Sequence, residues 1–338
     1  MRLAARKPLL ISSSLLACLA VGLRAEPPAA RPGEHVPRVG DEIMVCGQLY
    51  HTTAPVVLWL DPGGYDAYRL ERRFVPPDQA HSPLPERPDR PLASRYGLRR
   101  KGLSPEEVER VRGGGWDLPT LQKVVYQFVL HFDARGTSRR CFEVLHDLRG
   151  LSVHFMLDLD GTIYQTLDVK ESAYHATIAN GRSVGIEIAN VGAYPDDRPS
   201  PLGRWYERDA GGRVRIVVPD PPERDGIRDR SAPLRPARDE SIVGTVQGQE
   251  LRQYDFTDRQ YDSLARLTAT LCALFPRIRL DYPRDDSGAL IRSRLPDATL
   301  SSYRGILGHY HVQTNKVDPG PAFQWDRLIT ESRARQVR

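Results

Sequence analysis

The run Gly308-His309-Tyr310-His311-Val312-Gln313-Thr314-Asn315-Lys316-Val317-Asp318-Pro319-Gly320-Pro321-Ala322-Phe323 gathers imidazoles, an ammonium and a carboxylate on one short segment. Its prolines and glycines make it too irregular for a helix or a central strand. A segment of that kind holds a metal ligand or a catalytic charge at the rim of a folded core. His131 gives His309 and Asp318 a third partner, because it ends the apolar run Val124-Val125-Tyr126-Gln127-Phe128-Val129-Leu130. A strand-end histidine with a distant His/Asp pair supplies three ligands and leaves the fourth position of a zinc site open. Each residue also has a plainer reading. A lone strand-end histidine is more often structural, and Asp318 could simply cap the loop before Pro319. His311 is the rival ligand, since two residues beyond His309 it lies on the same side of an extended segment.

Glu187 stands inside Val184-Gly185-Ile186-Glu187-Ile188-Ala189, where burying a carboxylate without a partner is costly. The plain alternative is a solvent-facing strand position. Lys316 precedes Asp318 by two residues and could act on developing negative charge, or be an ordinary loop lysine. His154 reads as a satisfied core histidine. His51, His81 and His146 have no constellation around them, and Asn180-Gly181 reads as a turn only.

These groups need elements to position them. Lys123 to His131 is too apolar for a one-sided strand and is expected to be central, covered on both faces. Phe142, Leu145 and Leu148 recur at helical spacing within Ser138 to Leu148. Val153 to Leu159 and Thr162 to Leu167 flank Asp160-Gly161, a pair suited to a type I′ hairpin turn. Val184 to Ala189 is a further strand. Thr257-Asp258-Arg259-Gln260 is a capping box that opens a helix with Tyr261, Leu264, Leu267, Leu271 and Phe275 on one face. Upstream, Val56 to Leu60 is a buried-strand candidate, and Ser104-Pro105-Glu106-Glu107 starts a short helix that Gly113-Gly114-Gly115 stops. The expected fold is α/β: a single mixed sheet flanked by helices, in one domain.

Four blocks together resemble the zinc-dependent N-acetylmuramoyl-L-alanine amidases of the type-2 amidase and peptidoglycan-recognition superfamily. They are Phe128-Val129-Leu130-His131; Leu151-Ser152-Val153-His154-Phe155 with Asp160-Gly161; Tyr174-His175-Ala176 leading to Ser183-Val184-Gly185-Ile186-Glu187-Ile188; and the C-terminal run. The resemblance implies one zinc ion per chain on His131, His309 and Asp318. It implies that Glu187 orients or deprotonates the attacking water and passes the proton to the leaving amine. Lys316 would stabilise the tetrahedral oxyanion, and Tyr174 and His175 would line the substrate groove. Relatives often carry an acid where His311 stands, which leaves His311 as a rim or supporting residue, or an alternative ligand. The implied reaction is hydrolysis of the amide between N-acetylmuramoyl and L-alanine in peptidoglycan or muropeptides. Two other readings stay open: a peptidoglycan-binding module without hydrolysis, and a zinc peptidase acting on stem peptides. A glycosidase would need two facing carboxylates, and only Glu187 stands in a suitable context.

Residues 1–25 read as a secretory signal: Arg2, Arg6 and Lys7, then an apolar stretch from Pro8 to Leu23 that is short for a membrane span. Two fates compete there, cleavage near Ala25 and lipoprotein processing after Ala17 that leaves Cys18 lipidated. Either makes the protein exported, to the periplasm or cell envelope, with membrane attachment only through Cys18. Residues 26–40 read as a linker, 41–120 as an N-terminal extension, and 121–330 as the amidase domain. An insertion at about 192–254 is rich in Pro, Arg, Asp and Gly. Within it Pro195 to Tyr206 could form a rim over the groove, while Pro219 to Arg238 looks solvated and mobile. The formal net charge of +5 falls to about +1 once Arg2, Arg6, Lys7 and Arg24 are set aside, so nothing demands a nucleic-acid partner. Cys46, Cys141 and Cys272 leave an odd number without CxxC spacing, which argues against a disulfide framework and a thiolate zinc site but allows one bridge. A monomer is expected.

Overall fold

The computed structural model describes residues 36–81 and 95–336. The expected signal segment with Cys18, and residues 26–35 of the expected linker, lie outside the described residues. A compact unit begins at Arg38. Among the described residues no helix is long and apolar enough to cross a membrane.

The unit is built on a six-stranded mixed sheet. In chain order its strands are β1 (Val56–Leu58), β2 (Gln127–Phe132), β3 (Phe155–Leu157), β4 (Ile163–Gln165), β5 (Ser183–Ile188) and β6 (Gly305–Gly308). Across the sheet they run β6-β2-β5-β3-β4-β1. Every neighbouring pair is parallel except the β3–β4 hairpin. The α/β fold expected from the sequence is therefore present.

Period-two alternation sorts the side chains of the central strands. Phe128 and Leu130 of β2, Val184, Ile186 and Ile188 of β5, and Ile306 of β6 belong to the main core. They share it with Leu264, Leu267 and Leu271 of helix α4 (Asp258–Leu274) and Leu328 and Ile329 of helix α5 (Trp325–Gln336). The capping box of α4 forms as expected: the Thr257 hydroxyl accepts from Gln260 N at 3.0 Å, and the Gln260 side chain accepts from Thr257 N at 2.9 Å. The other face carries Val129 and His131 of β2, Gly185 and Glu187 of β5, and Met156 of β3. It is covered by helix α3 (Ser138–Phe142) with the wider turn that continues it, Glu143–Leu148, and by the 177–182 and 295–312 segments.

Several boundaries differ from the sequence expectation. Lys123 and Val124 end a helix, α2 (Leu118–Val124), because Asp117 caps it by accepting from Thr120 N at 2.8 Å; the strand begins only at Gln127. The β3–β4 connection is not a type I′ turn. Gly161 N donates to Asp158 O at 3.0 Å and only Gly161, at φ 85°, is left-handed. That is the three-residue loop with a glycine bulge, since type I′ needs two positive φ angles. The first strand stops at Leu58, where Asp61 accepts from Leu58 N at 2.7 Å and turns the chain outward. Helix α1 (Pro105–Arg112) has the expected Ser104 cap.

The insertion is ordered and packed. It forms an antiparallel hairpin (Tyr206–Arg208 with Val214–Ile216) and a second one (Ile242–Val246 with Gln249–Gln253). Leu202, Trp205, Val214, Ile216 and Ile227 make a satellite core with Leu159, Ala189 and Val191. Pro219 to Arg238, expected to be solvated and mobile, is instead held in place. Asp160 Oδ2 accepts from Arg228 N and Asp229 N, and Arg230 pairs with the buried Asp225. The extension is equally integral: Val56–Leu58 is the sheet edge, and Tyr96–Leu98 pairs with Glu171–Ala173. Cys46, Cys141 and Cys272 are all free, so no bridge forms among them.

Candidate active site

The parallel strands β2, β5 and β6 end side by side, which is where α/β sheets concentrate their chemistry. His131 and Glu187 are direct register partners on adjacent strands. Being on the same face, both project into one cleft. His309 follows the last residue of β6, and Asp318 returns to it on the next loop. His131 Nδ1 lies 2.9 Å from Asp318 Oδ2 and 2.9 Å from His309 Nδ1, and His309 Nδ1 lies 3.0 Å from the same Oδ2. All three residues are buried. A tetrahedral ion with bonds of about 2.0–2.1 Å places neighbouring donors roughly 3.3 Å apart, so this triangle matches one face of such a site. Two imidazole nitrogens and a carboxylate oxygen this close, out of water, suit a cation far better than they suit each other.

The outer nitrogens of the two rings are also engaged. His309 Nε2 lies 2.7 Å from Gln313 Oε1, an acceptor only, so Nε2 carries the proton and Nδ1 presents its lone pair to the triangle. His131 Nε2 lies 3.0 Å from His175 Nδ1. Burial, then the charge of His309, pushes the His131 imidazolium down to about 4. Burial alone would raise the Asp318 carboxyl; His309 and His131 reverse that and hold it far below the usual carboxylate range. Two imidazoles and one carboxylate are donors that a metal takes in their deprotonated forms.

Glu187 and Lys316 line the same cleft with Tyr174, His175, Asp133 and Arg149. Burial, then the charges of Asp318 and Asp133, raises the Glu187 carboxyl well above its ordinary value, while Lys316 opposes the rise. A larger cavity of about 510 Å³ lies at the opposite end of the sheet, against Tyr126, Arg277 and Arg304, but it contains no histidine. The chemistry belongs to the smaller cleft.

His311 is no ligand and no rim residue. It is fully buried; its Nδ1 accepts from Gly308 N at 2.9 Å and its Nε2 donates to Ile291 O at 2.6 Å, which occupies both nitrogens. His154 is the satisfied core histidine expected: Nδ1 accepts from Gly185 N at 3.1 Å and Nε2 donates to Glu171 O at 2.9 Å. His51, expected to stand alone, gathers with Asp41 and Glu42 on the surface. Glu42 there is occupied in accepting from Val39, Gly40 and Asp41 N–H groups.

Some contributors were not legible in the sequence. Asn180 is more than a turn residue: its Oδ1 accepts from His175 N at 3.1 Å and Ala176 N at 2.6 Å, clamping the segment that carries His175. Asp133 Oδ1 accepts from Arg135, Gly136 and Asn190 N–H groups and shapes the loop after β2. Burial lifts its carboxyl to about 7. Pro195 to Tyr206 does not line the cleft. Its Trp205 ring backs Gly136, where a Cβ would fall 2.4 Å from the indole. The spacing of Gln313, four residues after His309, was the one signal the sequence offered.

The sequence matches the model of the family Amidase_2, described as N-acetylmuramoyl-L-alanine amidase, over residues 122–321. No curated protein matches it significantly. Among solved structures, a selenomethionine derivative of AmpD is 17% identical, with 70% of this chain and 89% of that chain covered and a TM-score of 0.31. The amidase AmiD from E. coli, solved with its substrate anhydro-N-acetylmuramic acid-L-Ala-D-γ-Glu-L-Lys, is 16% identical over 61% of this chain and 57% of that one, TM-score 0.35. The endolysin amidase LysCS of Clostridium intestinale is 15% identical over 62% and 85%, TM-score 0.32. Likeness at that level adds no weight. The family match does, because it spans more than half of the chain and includes every residue of the cleft triangle: this protein belongs to the N-acetylmuramoyl-L-alanine amidase family and is an amide hydrolase acting on peptidoglycan-type substrate.

Proposed function

We propose that the chain cleaves the N-acetylmuramoyl–L-alanine amide with one zinc ion held by His131 Nδ1, His309 Nδ1 and Asp318 Oδ2. The observation that carries this reading is the buried triangle of those three donors, with sides of 2.9, 2.9 and 3.0 Å. When bound, zinc polarises the amide carbonyl and makes water nucleophilic near neutral pH.

The residues around it divide the remaining work. Glu187, on the strand beside His131, takes the proton of the attacking water and delivers it to the departing alanine nitrogen. Its raised affinity for protons suits both halves of that transfer. Lys316 faces the same cleft, and its charge reaches both Glu187 and His131, so it can stabilise the carbonyl oxygen as negative charge develops. Tyr174 and His175 form the wall opposite. The protein acts in the cell envelope, exported by its N-terminal segment, on intact wall or on muropeptides.

The test is hydrolysis of a defined muropeptide read by mass spectrometry, with chelator and zinc add-back. Free peptide beginning at L-alanine, lost on chelation and restored by zinc, is the expected result. Cleavage indifferent to chelation would overturn the zinc assignment. In the same assay Glu187→Gln should retain one zinc per chain yet slow turnover about 10²- to 10⁴-fold. His309→Ala should lose both metal and turnover.

A further inference from the structure

His131 can offer Nδ1 to a metal only if its Nε2 carries the proton and something accepts it. The neighbour of Nε2 is the Nδ1 of His175, 3.0 Å away, with the two rings edge to face at 84°. For His175 to accept there, its own proton must sit on Nε2. That nitrogen lies 3.2 Å from Ser183 Oγ, and the serine hydroxyl in turn donates to Ala179 O at 2.9 Å. The chain is therefore directional: His131 Nε2–H to His175 Nδ1, His175 Nε2–H to Ser183 Oγ, and Ser183 O–H to a backbone carbonyl. Each proton has one place to be, because the last acceptor has no proton to give.

The fold builds a seat for this ring. Asn180 Oδ1 clamps the backbone at His175 and Ala176. Gly185, next to Ser183's side of β5, supplies the floor: a Cβ there would lie 2.5 Å from His175 Nδ1 and Cε1, so only glycine leaves room. The Gly185 N–H is itself tied to His154 Nδ1 at 3.1 Å.

We infer that His175 is a positioning residue for the metal ligand His131, fixing its tautomer and ring orientation through a relay ending at Ser183, and is not primarily a substrate contact. The inference rests on the zinc reading above. Groups in this position typically change metal affinity 10- to 100-fold.

The experiment is zinc competition against a chromophoric chelator on the purified chain, beside turnover of the muropeptide. Wild type should bind one zinc and His309→Ala none. His175→Ala should weaken zinc binding about 10- to 100-fold with the far-UV circular dichroism of the metal-free protein unchanged. His175→Gln should recover part of the loss, because its amide oxygen can accept the same N–H. Ser183→Ala, which leaves the imidazole in place, should give an intermediate loss. Unaltered zinc affinity in His175→Ala and Ser183→Ala, with KM raised, would overturn the inference and return His175 to the groove wall. Equal losses in the Ala and Gln variants would also overturn it, as a packing effect. A wild type that binds no zinc would remove the zinc reading itself, a distinct result.

Discussion

Besides His175, four histidines lie in or beside the cleft strands, and their partners divide these four into two kinds. His131 and His309 each keep one nitrogen free for the triangle, while His154 and His311 spend both on the backbone. The second kind holds the fold together and does so only when neutral. Burial, then the charge of Arg99, pushes His154 down to about 3. A histidine depressed in the folded state is protonated first in the unfolded one. Its stabilising effect is complete above pH ~6.5 and is lost as pH falls towards 3. Between pH 7 and 5 the loss is about 2 kcal/mol for such a group. Unfolding free energies from urea titrations at those two pH values should therefore separate less in His154→Gln than in wild type, by about 2 kcal/mol. An equal separation would show that His154 is already charged in the folded protein.

At the scale of elements, the second hairpin of the insertion acts as a brace for the loop that carries His309 and Asp318. Gln247 Nε2 donates to Tyr310 O at 2.8 Å and Gln313 O at 2.9 Å. Gln253, fully buried, donates to Pro319 O at 3.1 Å and accepts from Ala322 N at 3.0 Å. Gly320 has φ 87°, and a Cβ there would fall 2.1 Å from Gln253 Oε1, so loop and brace are fitted to each other. Gln253→Ala leaves a buried carbonyl and a buried N–H without partners and should cost about 1–3 kcal/mol in urea unfolding. It should also hasten zinc loss to chelator, because Asp318 is next to Pro319. Zinc retention equal to wild type would show that the Asp318 loop holds its geometry without the hairpin.

For the whole molecule, Arg99 is a buried link between the N-terminal extension and the segments around the site. Arg99 is fully buried and donates to Val169 O, Asn180 O at 3.1 Å and Ser183 O at 2.9 Å. Those carbonyls belong to the segments that seat His175. Burial lowers the guanidinium to about 10, which leaves it charged at neutral pH, solvated by carbonyls in place of water. Arg99→Met strips several buried acceptors at once and should lower stability by about 3 kcal/mol or more. A urea midpoint within error of wild type would show that water replaces the guanidinium. Val56–Leu58 and Tyr96–Leu98 of the extension are thus built into the same body as the cleft.

The sequence by itself determined the chemistry available and much of its frame. His131 at a strand end, the Pro/Gly-rich run to Asp318, the apolar strand around Glu187 and the Thr257 capping box all read correctly. Each is a local pattern whose physical cause lies within a few residues. Tertiary structure alone decided which histidine does what. His311 and His309 are two residues apart, yet Gly308 N and Ile291 O, the latter twenty residues upstream, engage both nitrogens of His311. It also turned Asn180 from a turn residue into a clamp, and a polar insertion into a brace. The brace depends on partners brought from distant parts of the chain, and hydrogen bonds over such separations leave no periodicity or spacing to read; the Asn180 contacts are local, but the turn conformation that makes them is set by what packs around it.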